Sequence, residues 1–229
     1  PLFFVKVVQD WVNQGVLTET SGKWELQGTL EEATNAVPQS LREMIEWQIG
    51  KVDPHLQLTL EAASVVGEEF TAALVAAAVN EEETSVEQQC EDLARRGQVL
   101  EAREATVWPD GSITAGYRFT HALYQQVLYE RLAATRRMRW HQQIGRRLEQ
   151  AYGEHVADVA AELALHFERG REYKQALRYL EQAARKALQR SAPHEAIQHL
   201  RTALRLLDAL PETAERVQQA VVHVDQSKK

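Results

Sequence analysis

Residues 117–132 read YRFTHALYQQVLYERL, and the change of pattern across His121 decides the fold. A strand over 116–120 gives way at once to a helix that opens at His121, because alternation stops and apolar residues begin to recur at helical spacing. A companion strand is expected over 98–101. Between them Trp-Pro-Asp-Gly at 108–111 is a turn signal, so the two strands form a hairpin.

Helical segments precede the hairpin. Pro38 suits a first helical position, and Leu41, Met44, Ile45 and Ile49 then line one face. Asp53-Pro54 starts a second helix, pairing an acceptor side chain with a ring that has no amide to cap; it ends near Gly67. An Ala-rich helix follows over 71–79. Thr84-Ser85-Val86-Glu87 has capping-box spacing before a helix that stops at Gly97. The last three of these helices followed by a hairpin have the order of a winged helix-turn-helix unit, expected over 36–133.

Outward from this unit the pattern changes on both sides. Residues 2–14 predict a helix, and 16–18 and 23–26 predict a small hairpin whose Glu-Thr-Ser-Gly turn uses Gly22 for positive φ. The weakly periodic 27–36 is a linker, and 1–35 forms the first segment. Beyond His121 the chain reads as helical to its end. Trp140, Ile144 and Leu148 are spaced by four, and Tyr173, Leu177, Leu180, Ala184 and Leu188 trace a longer stripe. ALRYLEQAARKAL (176–188) and AIQHLRTALRLL (196–207) form a weak internal repeat, with breaks at Gly170 and Pro193. The expected architecture is mostly α: a winged helix-turn-helix unit with a small β-hairpin, then an antiparallel helical repeat array over 134–229.

Composition narrows the function classes. With 229 residues, 44% of them hydrophobic, the chain can fill one large core or two ordinary ones. It starts at Pro1 inside an apolar run without a basic leader, which predicts a fragment rather than a signal peptide. No run reaches the roughly 18 apolar residues that a bilayer span needs, so a soluble, cytoplasmic protein is expected. A net charge of −7 argues against broad attraction to nucleic acid or anionic membrane. The single cysteine, Cys90, shares a helical face with Val86 and Leu93 and is expected in the core.

Catalytic patterns are missing. Gly22-Lys23 has Leu17 where a phosphate loop needs its first glycine and Trp24 where it needs Ser or Thr. HExxH, paired Cys-x-x-Cys and G-x-S-x-G spacings do not occur, and the eight histidines are expected to be solvated or capping, with no metal. The helix over 84–97 carries Glu87, Glu91 and Asp92 against Arg95 and Arg96, an acidic surface that argues against DNA. The segment TRRMRWHQQIGRR (135–147) holds five arginines and no acid; Arg139 and Arg146, seven apart on one face, are candidates for an anion or an acidic partner. His121 stands where an imidazole and free helix-start amides can face an anion together.

Taken together, PLFFVKVVQDWVNQGVL, VPQSLREMIEWQIGKVDPHLQLTLEAASVVGEEF, YRFTHALYQQVLYERL and ALRYLEQAARKAL resemble the signal-transduction ATPases with numerous associated domains. The resemblance implies that 1–35 ends a helical lid, that a winged helix follows, and that the last segment is tetratricopeptide-like. It implies an upstream nucleotide-binding domain holding ADP or ATP, with a lid proline against adenine that maps onto Pro1. It also implies a winged-helix histidine reaching the β-phosphate of ADP, which maps onto His121, here flanked by Thr120 and Ala122 in place of Met and Asp. The implied role is a non-catalytic regulatory segment that couples nucleotide state to a protein-binding repeat surface. A plain helical scaffold and a DNA-contacting regulator segment are the alternatives.

Overall fold

The structure, a computed structural model, describes residues 12, 17–20, 23–26 and 39–209. Pro1, most of the expected helix over 2–14, the linker 27–36 and the tail 212–229 lie outside the described residues. The chain divides into two compact units, Pro1–Gln57 and Leu58–Lys229. The border expected between residues 133 and 134 falls inside the second.

In the first unit, β1 (Leu17–Thr20) pairs antiparallel with β2 (Lys23–Leu26), with Leu17 opposite Leu26. Helix α1 (Gln39–Gly50) buries Ile45 and Ile49, two of the four residues expected on its apolar face. Trp47 points outward, and the Lys51 ammonium lies 3.3 Å from its ring centroid.

The second unit is mostly helical, with a small antiparallel sheet. Helix α2 (Pro54–Val66) starts as its sequence dictates: the Asp53 carboxylate accepts from the His55 amide at 2.9 Å. It buries every residue from Thr59 to Val65 except Glu61. A strand not foreseen, β3 (Glu69–Thr71), follows, then α3 (Ala72–Val79) and α4 (Glu83–Arg96). The expected capping box is not formed. Helix α4 begins a residue before Thr84, with Glu82 at its N-cap and no side-chain cap bond, where the acidic run Glu81-Glu82-Glu83 complements the positive helix end.

Strands β4 (Leu100–Val107) and β5 (Ile113–Phe119) are longer than expected, and the sheet order is β3-β5-β4. Register slips between Arg103 and Thr106, where two residues of β4 oppose one of β5, the mark of a β-bulge. Gly116 lies opposite, and a Cβ there would run into the Glu104 carbonyl oxygen. Phe70 of β3 packs on Tyr117 and Phe119 of β5, with centroids at 5.9 and 5.5 Å. The turn at 108–111 closes as read: Gly111 donates to the Trp108 carbonyl at 2.9 Å, and Trp108 to that of Ser112 at 2.9 Å.

The described residues that follow are helical: α5 (Ala122–Arg131), α6 (Ala134–Tyr152), a 3-10 segment (Gly153–Val159), α7 (Ala160–Arg169), α8 (Tyr173–Gln189) and α9 (Pro193–Ala209). Helix α6 buries Trp140, Ile144 and Leu148 as expected and packs against α3. The strand turn docks on α6 as well: Asp110 donates its amide to the Ala151 carbonyl at 3.1 Å, and Arg147 lies over Trp108. The turns α7–α8 and α8–α9 are the same structure twenty residues apart. Arg171 and Ser191 each take φ of 59°; Glu172 donates to Phe167 and Ala192 to Ala187, both at 2.9 Å, while Arg171 donates to Glu168 and Ser191 to Leu188, both at 3.0 Å. Each is a Schellman closure, with a non-glycine residue in the left-handed position.

Candidate functional site

His121 occupies the junction of β5 and α5. It is the N-cap residue, with φ −146° and ψ 138°, its side chain makes no cap bond, and it is exposed. Its carbonyl accepts from the Tyr124 amide at 3.0 Å, which leaves the amides of Ala122 and Leu123 as helix-start donors directed along the axis. The β5 end is anchored from below, since Thr120 donates its amide to Val99 at 2.9 Å and its hydroxyl to Gln98 at 3.0 Å. The junction is therefore a fixed platform. Pro1 lies outside the described residues.

The basic segment is largely spent inside the unit. Arg136 pairs with Glu61 at 3.3 Å, Arg146 with Glu172 at 2.5 Å and Arg147 with Asp110 at 3.5 Å. Arg139 is exposed and has no ion pair among the described residues. The structure thus separates the two arginines expected to act together: one braces α6 against the start of α8, and the other faces solvent.

A different cluster stands beside them. His141 and His166 are each 1% exposed, against the expectation of solvated histidines. Position explains it: His141 follows Trp140 on the side of α6 that also carries Gly145 and Leu148, and His166 lies between Leu163 and Phe167 on the buried side of α7. Their Nδ1 atoms are 2.9 Å apart, and His141 Nε2 is 3.0 Å from the Tyr129 hydroxyl of α5. Close helix approach permits this. Gly145 leaves room for the Phe167 ring, which an added Cβ would meet at 3.1 Å, and Gln142 donates to the Gly170 carbonyl at 2.6 Å.

Direct contact between two Nδ1 atoms requires one to donate and the other to accept. If His166 donates, His141 carries its proton on Nε2 and gives it to the tyrosine oxygen; if His141 donates, its bare Nε2 accepts from the tyrosine O–H. The three groups therefore share one direction. Burial drives both imidazole pKa values well below the ordinary histidine value; the neighbouring histidine, Arg169 and Arg137 push His141 further down, and Arg169 does the same to His166. Both rings are neutral at physiological pH.

The open side of this cluster is a cavity of about 330 Å³ lined by Tyr129, Thr135, Arg137, His141, Arg169 and Arg171. The guanidinium carbons of Arg137 and Arg169 lie 5.0 and 5.5 Å from the Tyr129 centroid. None of the three arginines is paired with a carboxylate among the described residues. One sequence signal for the pair existed: both histidines stand at helical spacing from buried apolar residues.

Cys90 is buried, and its thiol is pushed up to about 12 by burial, then by Glu87, which makes it an unreactive core residue as expected. No third His, Cys, Asp or Glu joins the histidines to make a metal-binding group among the described residues. No helix among them is long and apolar enough to cross a membrane. Comparisons of the chain with protein-family models, with curated proteins and with solved structures find no match.

Proposed function

We propose that this chain is a non-catalytic regulatory segment of a nucleotide-switch signalling ATPase, in which a winged-helix unit reports ADP or ATP state to a helical-repeat surface. The single observation that carries the reading is the placement of His121: exposed, at the junction of β5 and the start of α5. A histidine placed at a helix start stands where the first amides and the helix dipole favour a phosphate. The order α2, α3, α4, then the β4–β5 hairpin, with β3 joined to β5, supports the winged-helix reading. Most nucleotide contacts belong to the upstream domain of the same cytoplasmic protein, Pro1 among the lid residues.

A ligand moves a two-state equilibrium only by its differential affinity for the states, and His121 supplies that difference. In the parent protein, His121→Ala weakens ADP retention at least tenfold and raises basal output. ADP affinity and output both unchanged in that variant would remove the assignment.

The second reading, a helical interaction scaffold, has its own observation. Shifting α8 by twenty residues lays Leu177 on Ile197 and Ala184 on Leu204. Leu177 and Ala184 are each 3% exposed, while Ile197 and Leu204 are 46% and 55% exposed. In the switch reading this same edge is the surface that receives the protein partner. A DNA-binding role is disfavoured, because α4 exposes Glu91 and Arg95 gives its charge to Asp92 at 2.8 Å.

A further inference from the structure

We infer that the cavity between α5, α6 and the α7–α8 turn is a binding site for a small phosphate-bearing anion. The inference stands on this cavity and is independent of the role proposed for His121.

Three arginines line one small space, and the guanidinium groups of two of them, Arg137 and Arg169, lie over the Tyr129 ring there. Arg137 comes from α6, Arg169 from the end of α7 and Arg171 from the turn, so the cluster is assembled from separate elements rather than run along one exposed face. Four other arginines of α6 and α8 take carboxylate partners, Arg136 with Glu61, Arg146 with Glu172, Arg147 with Asp110 and Arg178 with Glu149, while Arg139 faces solvent. The three at the cavity take none among the described residues. Their mutual repulsion is reduced when a doubly charged oxyanion lies between them, and the guanidinium fork matches phosphate oxygens in pairs.

The uncharged lining fits the same ligand. Thr135 and Tyr129 are among the lining residues, with Ala134 and Met138, and a hydroxyl group can donate to a phosphate oxygen. With a phosphate accepting from the Tyr129 O–H, the tyrosine oxygen receives the His141 Nε2 proton and His141 Nδ1 accepts from His166. All three groups are then satisfied in one direction. The volume, about 330 Å³, sits at the lower end of small-molecule pockets, room for a phosphate with a small organic body. Arg171 adds an argument from the backbone. It holds φ of 59°, where glycine is the unstrained choice, yet a cationic residue stands at this position on the cavity lining.

The test is titration calorimetry on the full 229-residue chain at low salt, with inorganic phosphate in one arm and ribose 5-phosphate in the other. Saturable binding in either arm is expected, and tighter binding of the ester identifies a phosphorylated small molecule, while equal affinities identify free phosphate. Arg137→Gln and Arg169→Gln are each expected to weaken binding at least tenfold. Arg171→Gly keeps a fully compatible turn, so its loss of binding at an unreduced Tm separates ligand contact from folding. Arg139→Gln, on the same helix and outside the cavity, is expected to change affinity less than twofold. Phosphate is also expected to shift the His141 ring resonances. Absence of saturable binding in both arms overturns the inference, as does an Arg139→Gln loss equal to that of Arg169→Gln, or binding that leaves His141 unmoved.

Discussion

At the scale of single residues, the two buried imidazoles make stability depend on pH. Their folded pKa values lie below the unfolded value of about 6.5. The unfolded chain therefore binds more protons once the pH drops through that value. Stability is fully present above it and is lost as pH falls toward the folded values, at up to about 1.4 kcal/mol per pH unit for each histidine. Chemical denaturation at pH 7.5, 6.5 and 5.5 is expected to show this decline, and His166→Gln should make it shallower by up to that amount per unit. A profile of equal slope in that variant would show that His166 does not titrate on unfolding. The pair was partly legible in the sequence. The histidines fall in phase with Leu148 and Leu163, but no local pattern says that two rings twenty-five residues apart in sequence meet. His121 was more legible, because a strand-to-helix junction is a local event.

At the scale of elements, two glycine positions and two turns decide how α6, α7 and α8 meet. Gly145→Ala gains helix propensity of about 1 kcal/mol, but its methyl meets Phe167, which is fully buried and stacked on Tyr179 with centroids 5.7 Å apart. A ring held on both faces cannot retreat cheaply, and overpacking costs about 1–3 kcal/mol. A net loss of about 1 kcal/mol is expected by urea denaturation, together with a changed His141 environment by NMR. The turns give the opposite sign. Arg171→Gly and Ser191→Gly relieve a left-handed residue that costs about 1–2 kcal/mol, less the added freedom of glycine in the unfolded chain, about 0.5–1 kcal/mol. Each is expected to stabilise by about 0.5 kcal/mol, and a lowered Tm in both would refute the strain argument. Sequence reading placed most helices but misjudged their edges for definite reasons. β3 has only three residues, too few to show alternation, and β4 beyond Leu100 is mostly exposed, so it presents no apolar period at all. The capping box failed because an acidic run just ahead offered an earlier start.

At the scale of the whole molecule, residues 58–209 are tied together by contacts between elements distant in sequence. Helix α3 packs on α6, the β4–β5 turn docks on the end of α6 through Asp110, and Gln125 donates from α5 to the Ser64 carbonyl of α2 at 2.6 Å. One cooperative transition is therefore expected for this unit. Trp108→Ala, which empties a site only 4% exposed, should cost about 3 kcal/mol or more and shift the far-ultraviolet and tryptophan-fluorescence midpoints together. Separate midpoints would mean that the sheet-bearing part and the helical stack melt independently. The docking of sheet turn on helix was not visible in the sequence, where Trp-Pro-Asp-Gly reads only as a turn. The twenty-residue sequence likeness of α8 and α9 was visible, and the burial of the two helices differs in a directional way. The inner flank of α8 is buried, whereas Ile197 and Leu204 at the corresponding positions of α9 are about half exposed among the described residues. Among the described residues the stack is polar, in the sense that a filament with one capped and one receptive end is polar: a further amphipathic helix of matching pattern would be received on the α9 side.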